Sequence, residues 1–327
     1  MFATLSASLS TSFSIRTDNQ KPCIIYISSI VIVIKEIVTE RLILNDLQPN
    51  DHPFIFELVN SPGWLEFIGD RNIRTAEDAI AYIEKIKGNP HIMYWVVKLK
   101  ADQIPAGIIT LIKREYLEHY DIGFAFLPKY TNYGYSSEAT RAILNVLPAE
   151  MLKDKIIAIT TKKNERSINL LEKLKFRYEG GIEADGKLLL LYALSADQIQ
   201  IDKITQAFFA LFTNITGPPE FDCISKLCHK QAQIIKKTDD STEIYNLQSF
   251  IEPRKKILTD GTLTGFREYE VQAETKITGQ IAQRFSIYEK RGKLHGNDYS
   301  GSGNKMLHFM KHEGKWQIIH VIWEDNT

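Results

Sequence analysis

The residues whose types and spacing could do chemistry are concentrated in one run, DIGFAFLPKYTNYGYSSEATRAIL, residues 121–144. An apolar strand leads to Pro128, a turn carries Gly134, and a helix begins near Tyr135. A strand, turn and helix with small residues at the turn expose several backbone N–H groups at a helix N-terminus. Those donors and the helix dipole suit a phosphate or pyrophosphate. Gly134 and the small Ser136 and Ser137 let the backbone approach an anion closely. Taken alone the pattern also fits an ordinary helix start that binds nothing.

The elements that must position this run are legible around it. Strand signals cover 35–44, 92–99, 104–113, 119–127, 156–160 and 188–194. Helix signals cover 49–60, 75–87, 134–147 and 165–174. Thr75 reads as an N-cap with Asp78 three residues on, Ala79, Ile80, Ile83 and Ile86 form the apolar face, and Gly88 ends the helix. Mixed strands and helices of this kind predict one α/β or α+β domain over 35–197. A second α+β domain is expected over 198–327, with helices first (201–212 and 243–258) and then an antiparallel meander. Its four strands read as 265–275, 280–290, 304–311 and 316–323, with RGKLHGNDYSGSG as a turn-rich junction and Pro253 ending or kinking its helix.

The first domain resembles the GNAT N-acetyltransferases, in the branch of the ribosomal-protein N-acetyltransferases RimJ and RimL. TERLILNDLQPND, FIGDRNIRTAEDAIAYIE, PAGIITLIKRE, YDIGFAFLPKYTNYGYSSEA and NERSINLLEKLKF carry the likeness, in order, over about residues 36–195. The resemblance implies a mixed sheet with flanking helices and acetyl-CoA as co-substrate. It implies that the amides of 131–136 (Thr131, Asn132, Tyr133, Gly134, Tyr135 and Ser136) hold the pyrophosphate. The strand edge 123–127, including Phe126 and Leu127, would accept the pantetheine arm, and Asn164 would face the cofactor. Acetyl transfer from a thioester to an amine needs a proton acceptor, an oxyanion donor and an acid for the departing sulfur. Asp121 stands where the resemblance puts the acceptor, with Glu115, Glu118 and His119 as alternates; the plain alternative is a solvated strand-start carboxylate. The family's thiolate-protonating Tyr is replaced by Leu171, and Ser167 is the substitute that the branch suggests, against a capping role in the first turn. Thr131, Ser136 and Lys175 also depart from the family's usual residues. Trp64, Glu66, Asp70 and Arg71 fall in the segment that lines the acceptor side, although Trp64 equally suits a core.

The C-terminal domain resembles the SnoaL-like, nuclear-transport-factor-like α+β cones through FFALFTN, YNLQSFIEPRKKIL and the ending GKWQIIHVIWED. That implies a curved antiparallel sheet used as a pocket or a dimerisation module. Its candidate pocket residues are His320, His308, His312, Tyr269, Tyr288 and Arg284. His308 and His312, four apart on one strand face, would lie roughly 13 Å apart, too far to share a metal; no metal site is expected. An exposed apolar sheet face here would make the protein a homodimer.

Composition bounds the rest. The chain has 327 residues, 44% hydrophobic and 24% charged, which excludes a disordered or collagen-like chain and gives a prior of about two domains. Lys+Arg and Asp+Glu are both 40, so no overall basic excess points to nucleic acid. Cys23, Cys223 and Cys228 are odd in number and widely spaced, which argues against a disulfide framework and for a reducing, cytoplasmic compartment. Residues 1–34 hold three charges and an apolar stretch at 23–34 that is too short to span a membrane as a helix. They read as a poorly structured extension, an extra strand or partner-binding segment, or a targeting segment. The leading expectation is an acetyl-CoA-dependent N-acetyltransferase acting on a small-molecule or protein amine. The alternatives are a CoA-binding sensor without turnover and an isomerase- or cyclase-type site in the cone.

Overall fold

A computed structural model describes residues 23–27, 30–34, 36–184, 186–215 and 217–326; the Ser/Thr-rich start of the chain lies outside them. Strands β1 (Cys23–Ile27) and β2 (Ile30–Ile34) pair antiparallel as a separate two-stranded sheet. The next elements are β3 (Ile37–Val38), β4 (Leu42–Asp46), α1 (His52–Val59), α2 (Pro62–Phe67), α3 (Ala76–Lys87), β5 (Ile92–Leu99), β6 (Pro105–Ile112) and β7 (Asp121–Phe126). After them come α4 (Tyr135–Val146), α5 (Ala149–Leu152), β8 (Lys155–Thr160), α6 (Glu165–Lys173), β9 (Arg177–Ala184) and β10 (Lys187–Ser195). One eight-stranded mixed sheet has the order β3-β4-β5-β6-β7-β8-β10-β9. Its strands are apolar on both faces at the centre: Tyr94–Val97 of β5 are four buried residues in a row, as expected of a strand covered on both sides. The expected cap of α3 is present, with Thr75 Oγ1 accepting from the Asp78 amide and the Asp78 carboxylate accepting from the Thr75 amide. Trp64 is buried, so it belongs to the core.

The C-terminal part contains α7 (Ala196–Ala210), the short α8 (Ile224–Leu227), β11 (Cys228–Lys237), β12 (Thr242–Tyr245), α9 (Leu247–Thr259), β13 (Leu263–Thr278), β14 (Ile281–Leu294), β15 (Asn297–His312) and β16 (Lys315–Asp325). A six-stranded sheet orders them β12-β11-β16-β15-β14-β13, antiparallel except for β11 beside β16. Phe208, Phe209 and Phe212 of α7, Phe250 of α9, and Tyr288, Phe309 and Trp316 of the sheet fill its core. The fold class is therefore mixed α/β in two large sheets beside the small β1–β2 pair, and the two-domain mixed class is the one the sequence predicts. By contacts, the chain divides into two compact units, one running to Ile109 and including Ala125–Ala139, the other made of Thr110–Phe124 and Thr140 onward.

Several expectations are corrected. The Gly-rich run read as a junction is strand on both sides of a tight turn at His295 and Gly296. Its glycines are there for close approach: a Cβ at Gly303 would meet the Glu324 carbonyl at 2.3 Å and the Tyr288 hydroxyl at 2.6 Å. Pro253 lies inside α9 without ending it, because Phe250, Ile251 and Leu258 on either side of it are buried in the core. Cys228 opens a strand, and burial pushes its thiol up to about 12, so it is an inert packing residue.

Candidate active site

The turn before α4 has the shape the sequence implies. From β7 the chain enters a 3-10 turn at Pro128–Tyr130, then passes through Asn132 (φ 69°) and Gly134 (φ 80°), both left-handed. The first hydrogen bond of the α4 ladder runs from the Glu138 amide to the Gly134 carbonyl at 3.1 Å. The amides of Tyr135, Ser136 and Ser137 therefore precede the ladder and have no acceptor within the helix. Gly134, Tyr135 and Ser136 are half-buried, Ser137 is buried, and Asn132 and Tyr133 are exposed. The Tyr133 and Tyr135 rings stack, with centroids 5.6 Å apart. A twelve-residue helix with a left-handed glycine at its entrance is the donor set a pyrophosphate needs, so the residues present fit the cofactor that the fold implies.

The expected donors are not all alike. The Thr131 amide and hydroxyl both donate to the Pro128 carbonyl, at 3.2 and 2.8 Å. Leu127 is buried, its amide donates to Ala106, and its carbonyl accepts from Tyr130, so both its backbone groups are engaged within the protein. Phe126 lies over Gly107, where a Cβ would come within 2.4 Å of its ring.

In the second unit, Asp121 is buried at the start of β7. Its Oδ2 accepts from Arg114 Nε at 2.8 Å and its Oδ1 from the Ile159 amide at 3.2 Å. Each carboxylate oxygen has a second lone pair, so the group can still take a proton. Burial raises its pKa to about 6, against the opposing pull of the Arg114 guanidinium and the Ile159 amide. β7 and β8 run parallel and are bridged at Asp121 opposite Ile157, with no later pair among the described residues. Past Asp121, the β8-side edge of β7 therefore has no ladder partner among the described residues at Ile122, Gly123 and Phe124. Of the alternates, Glu115 and Glu118 are exposed, while His119 Nδ1 is buried without a partner among the described residues.

Asn164 caps α6, its Oδ1 accepting from the Ser167 amide at 3.1 Å. Ser167 is half-buried in the first turn of α6, and Leu171 is core, 1% exposed. Lys175 adopts φ 70° in a helix-ending motif: its amide donates to Glu172 and the Phe176 amide to Leu171, both at 2.9 Å. This is the position where glycine costs nothing, and a side chain there costs about 1 kcal/mol.

The histidines of the C-terminal sheet do not face its core. His308 and His320 are register partners on β15 and β16, their ring planes 2° apart and their Nδ1 atoms 3.1 Å apart. The ring centroids are 5.3 Å apart, farther than the nitrogens, so the rings meet edge to edge with one Nδ1 facing the other. The expected pocket base at His320 is thus paired to a histidine on the outer face. Burial first, then His308, lowers its pKa. His312 packs instead against His229, at 5.4 Å. Tyr269 donates to Glu289 at 2.6 Å outside the core, whereas Tyr288 and Arg284 are buried within it.

Residues 41–177 match the model of the acetyltransferase (GNAT) domain. The chain is 32% identical over 144 residues to YnaD, an uncharacterised N-acetyltransferase of Bacillus subtilis (strain 168), covering 44% of this chain and 84% of that one. Among solved structures, an acetyltransferase (GNAT family) from Bacillus anthracis is 29% identical, covers 50% of this chain and 99% of its own, and has a TM-score of 0.43. The ribosomal-protein alpha-N-acetyltransferase RimL bound to coenzyme A is 15% identical, with coverage of 50% and 99% and a TM-score of 0.44. The chain belongs to the GNAT acetyltransferase family. It is accordingly an acyltransferase of the N-acetylating type, joined to a C-terminal β-rich domain that lies beyond the matched residues. No described helix is long and apolar enough to cross a membrane.

Proposed function

We propose that the chain binds acetyl-CoA at the turn before α4 and passes its acetyl group directly to an amine, carried by a small molecule or a protein. The observation that carries this is the left-handed Gly134 leading into the amides of Tyr135, Ser136 and Ser137, which have no acceptor within the helix. Asn132 and Tyr133 flank that cradle, Phe126 offers the adjoining strand edge, and Asn164 the cap of α6. Bound acetyl-CoA supplies an activated acetyl group. Asp121 takes the acceptor's proton, aided by a carboxyl held near neutrality. The Ser167 hydroxyl gives a proton to the departing sulfur and regains one from solvent water, the role for which Leu171 has no group to offer. Thermal unfolding of the full chain tests the site. Acetyl-CoA at about 100 times its Kd should add about 2.7 kcal/mol of stability, and an amine library should then yield acetylated product. Stabilisation without turnover of any amine would favour a CoA-binding sensor, which the buried Leu171 motivates; no stabilisation would remove the site.

For the C-terminal domain, the order of two helices, two strands, a third helix and four long strands supports an α+β cone of the SnoaL-like kind. Its interior positions carry large aromatic side chains, which favours a scaffold over an isomerase- or cyclase-type site. Its outer face favours a second copy of the chain. Ile244, Ile235, Ile322, Met306 and Phe285 are successive register partners across five strands, and Ile244, Met306 and Phe285 are 66, 41 and 44% exposed. One unbroken apolar row is self-complementary under a two-fold axis. Light scattering should find a dimer that the double variant Phe285→Lys, Met306→Lys converts to a monomer. A monomeric parent chain would rule the interface out.

A further inference from the structure

Arg41 stands at the end of the hairpin turn between β3 and β4, and both its backbone and its side chain address the start of α4. The Glu138 carboxylate lies in the first turn of that helix. Its Oε1 accepts from the Thr39 hydroxyl at 2.5 Å and from the Arg41 amide at 3.0 Å. Its Oε2 accepts from Arg41 Nε and Nη2, both at 2.7 Å. The remaining arm of the guanidinium, Nη1, donates to the Tyr133 carbonyl at 2.9 Å, and the group lies 4.8 Å from the centre of the Tyr135 ring. One side chain therefore holds the carbonyl before Gly134, the ring after it and the carboxylate one turn further on.

We infer that Arg41 is the positioning residue of the pyrophosphate turn: it fixes the Tyr133–Gly134 peptide and cancels the Glu138 charge, so that the α4 N-terminus accepts an anion. The inference rests on the reading that acetyl-CoA binds at this turn. Two physical arguments support it. The first is geometric. A trans peptide points its C=O and N–H in opposite directions. Tying the Tyr133 carbonyl to Arg41 therefore aims the Gly134 amide away from the guanidinium, toward the open side of the turn. The second is electrostatic. A carboxylate in the first turn of a helix gains from the dipole, but it repels a second anion bound at the same end. Burial pushes the Glu138 carboxyl up, yet the hydrogen bonds from Thr39 and Arg41 outweigh this and hold it below the ordinary carboxylate range. Glu138 is thus ionised at neutral pH, and Arg41 is the cation paired with it. A lysine supplies the charge without the fork that reaches Glu138 and Tyr133 together.

The test compares two acyl donors in calorimetry of the full chain: acetyl-CoA, and S-acetylpantetheine, which lacks the pyrophosphate. Arg41→Ala and Arg41→Gln should each weaken acetyl-CoA about tenfold or more while leaving S-acetylpantetheine within about twofold, since the lost interaction acts on the pyrophosphate alone. The double variant Arg41→Ala, Glu138→Gln should recover part of the loss, because the uncompensated carboxylate is gone. Arg41→Lys should fall between the parent and the alanine variant. Equal weakening of both donors in Arg41→Ala and Arg41→Gln would mark a general structural role and overturn the inference. So would undiminished acetyl-CoA binding, or a double variant no better than Arg41→Ala. A parent chain that binds both donors equally would instead show that the pyrophosphate is not held at this turn, removing the reading beneath the inference.

Discussion

Asp121→Asn should lower kcat by about 10²–10⁴-fold, the usual worth of a positioned general base, and should abolish the acid limb of the pH–rate profile. Asparagine keeps the shape and can still accept from Ile159, so the β7–β8 bridge survives while the proton acceptor is lost. In the parent chain, kcat/KM should rise with pH through about 6, where the carboxyl ionises, and then level off. Stability should run the other way. Burial raises this pKa from 3.8 to about 6, so the folded state holds the proton more tightly than the unfolded one. Its contribution is fully present below pH 4, falls between about 4 and 6, and stays flat above; a shift of this size is worth about 3 kcal/mol. The asparagine variant should lack that slope in urea unfolding at stepped pH. If it keeps more than about a tenth of kcat, far more than removal of a general base allows, and the same acid limb, the base lies elsewhere. His119, whose Nδ1 is buried without a partner among the described residues, would be the first to try next.

The parts of this site that were legible in the sequence are those made by contiguous residues. The turn through Asn132 and Gly134 into α4, the Thr75 cap of α3 and the Asn164 cap of α6 are all set within a few positions. The supports were not legible, because they join residues far apart in the chain. Glu138 and its partner Arg41 are 97 positions apart, and neither residue type signals the other. Asp121 was visible as a carboxylate, but its burial, its ion pair to Arg114 and its raised pKa depend on β8 lying alongside. Glycine misled for a related reason. At 301 and 303 it makes room for Lys290 and Tyr288 in a ladder, while its local signature is that of a turn. β11 carries no strand signal of its own, because CHKQAQIIKK follows no clean alternation and its parallel partners on β16 lie about ninety residues later.

The second large effect expected is in the C-terminal domain, at Arg284. The residue is 7% exposed, and its guanidinium engages Glu270 through Nε at 2.9 Å and Nη2 at 2.5 Å. Nη1 reaches Asp202 of α7 at 2.5 Å and Thr275 at 2.8 Å, so one side chain ties the helix to two strands. The fully buried Ser286 also donates to Glu270. Arg284→Ala leaves Glu270 an uncompensated charge away from water, which should cost about 3–5 kcal/mol. Arg284→Lys should recover only part of this, because an ammonium cannot fork to both carboxylates. The triple variant Arg284→Met, Glu270→Met, Ser286→Ala removes the charge, its partner and the hydroxyl that would be left without an acceptor. Asp202, about a third exposed, keeps its hydrogen bond from Gln198 at 2.9 Å. The triple variant should therefore be more stable than Arg284→Ala although it changes more residues. Urea midpoints, with hydrogen exchange of the β13 and β14 amides, read that order. Were Arg284→Ala as stable as the triple variant, the cost would lie in lost packing and not in the buried carboxylate.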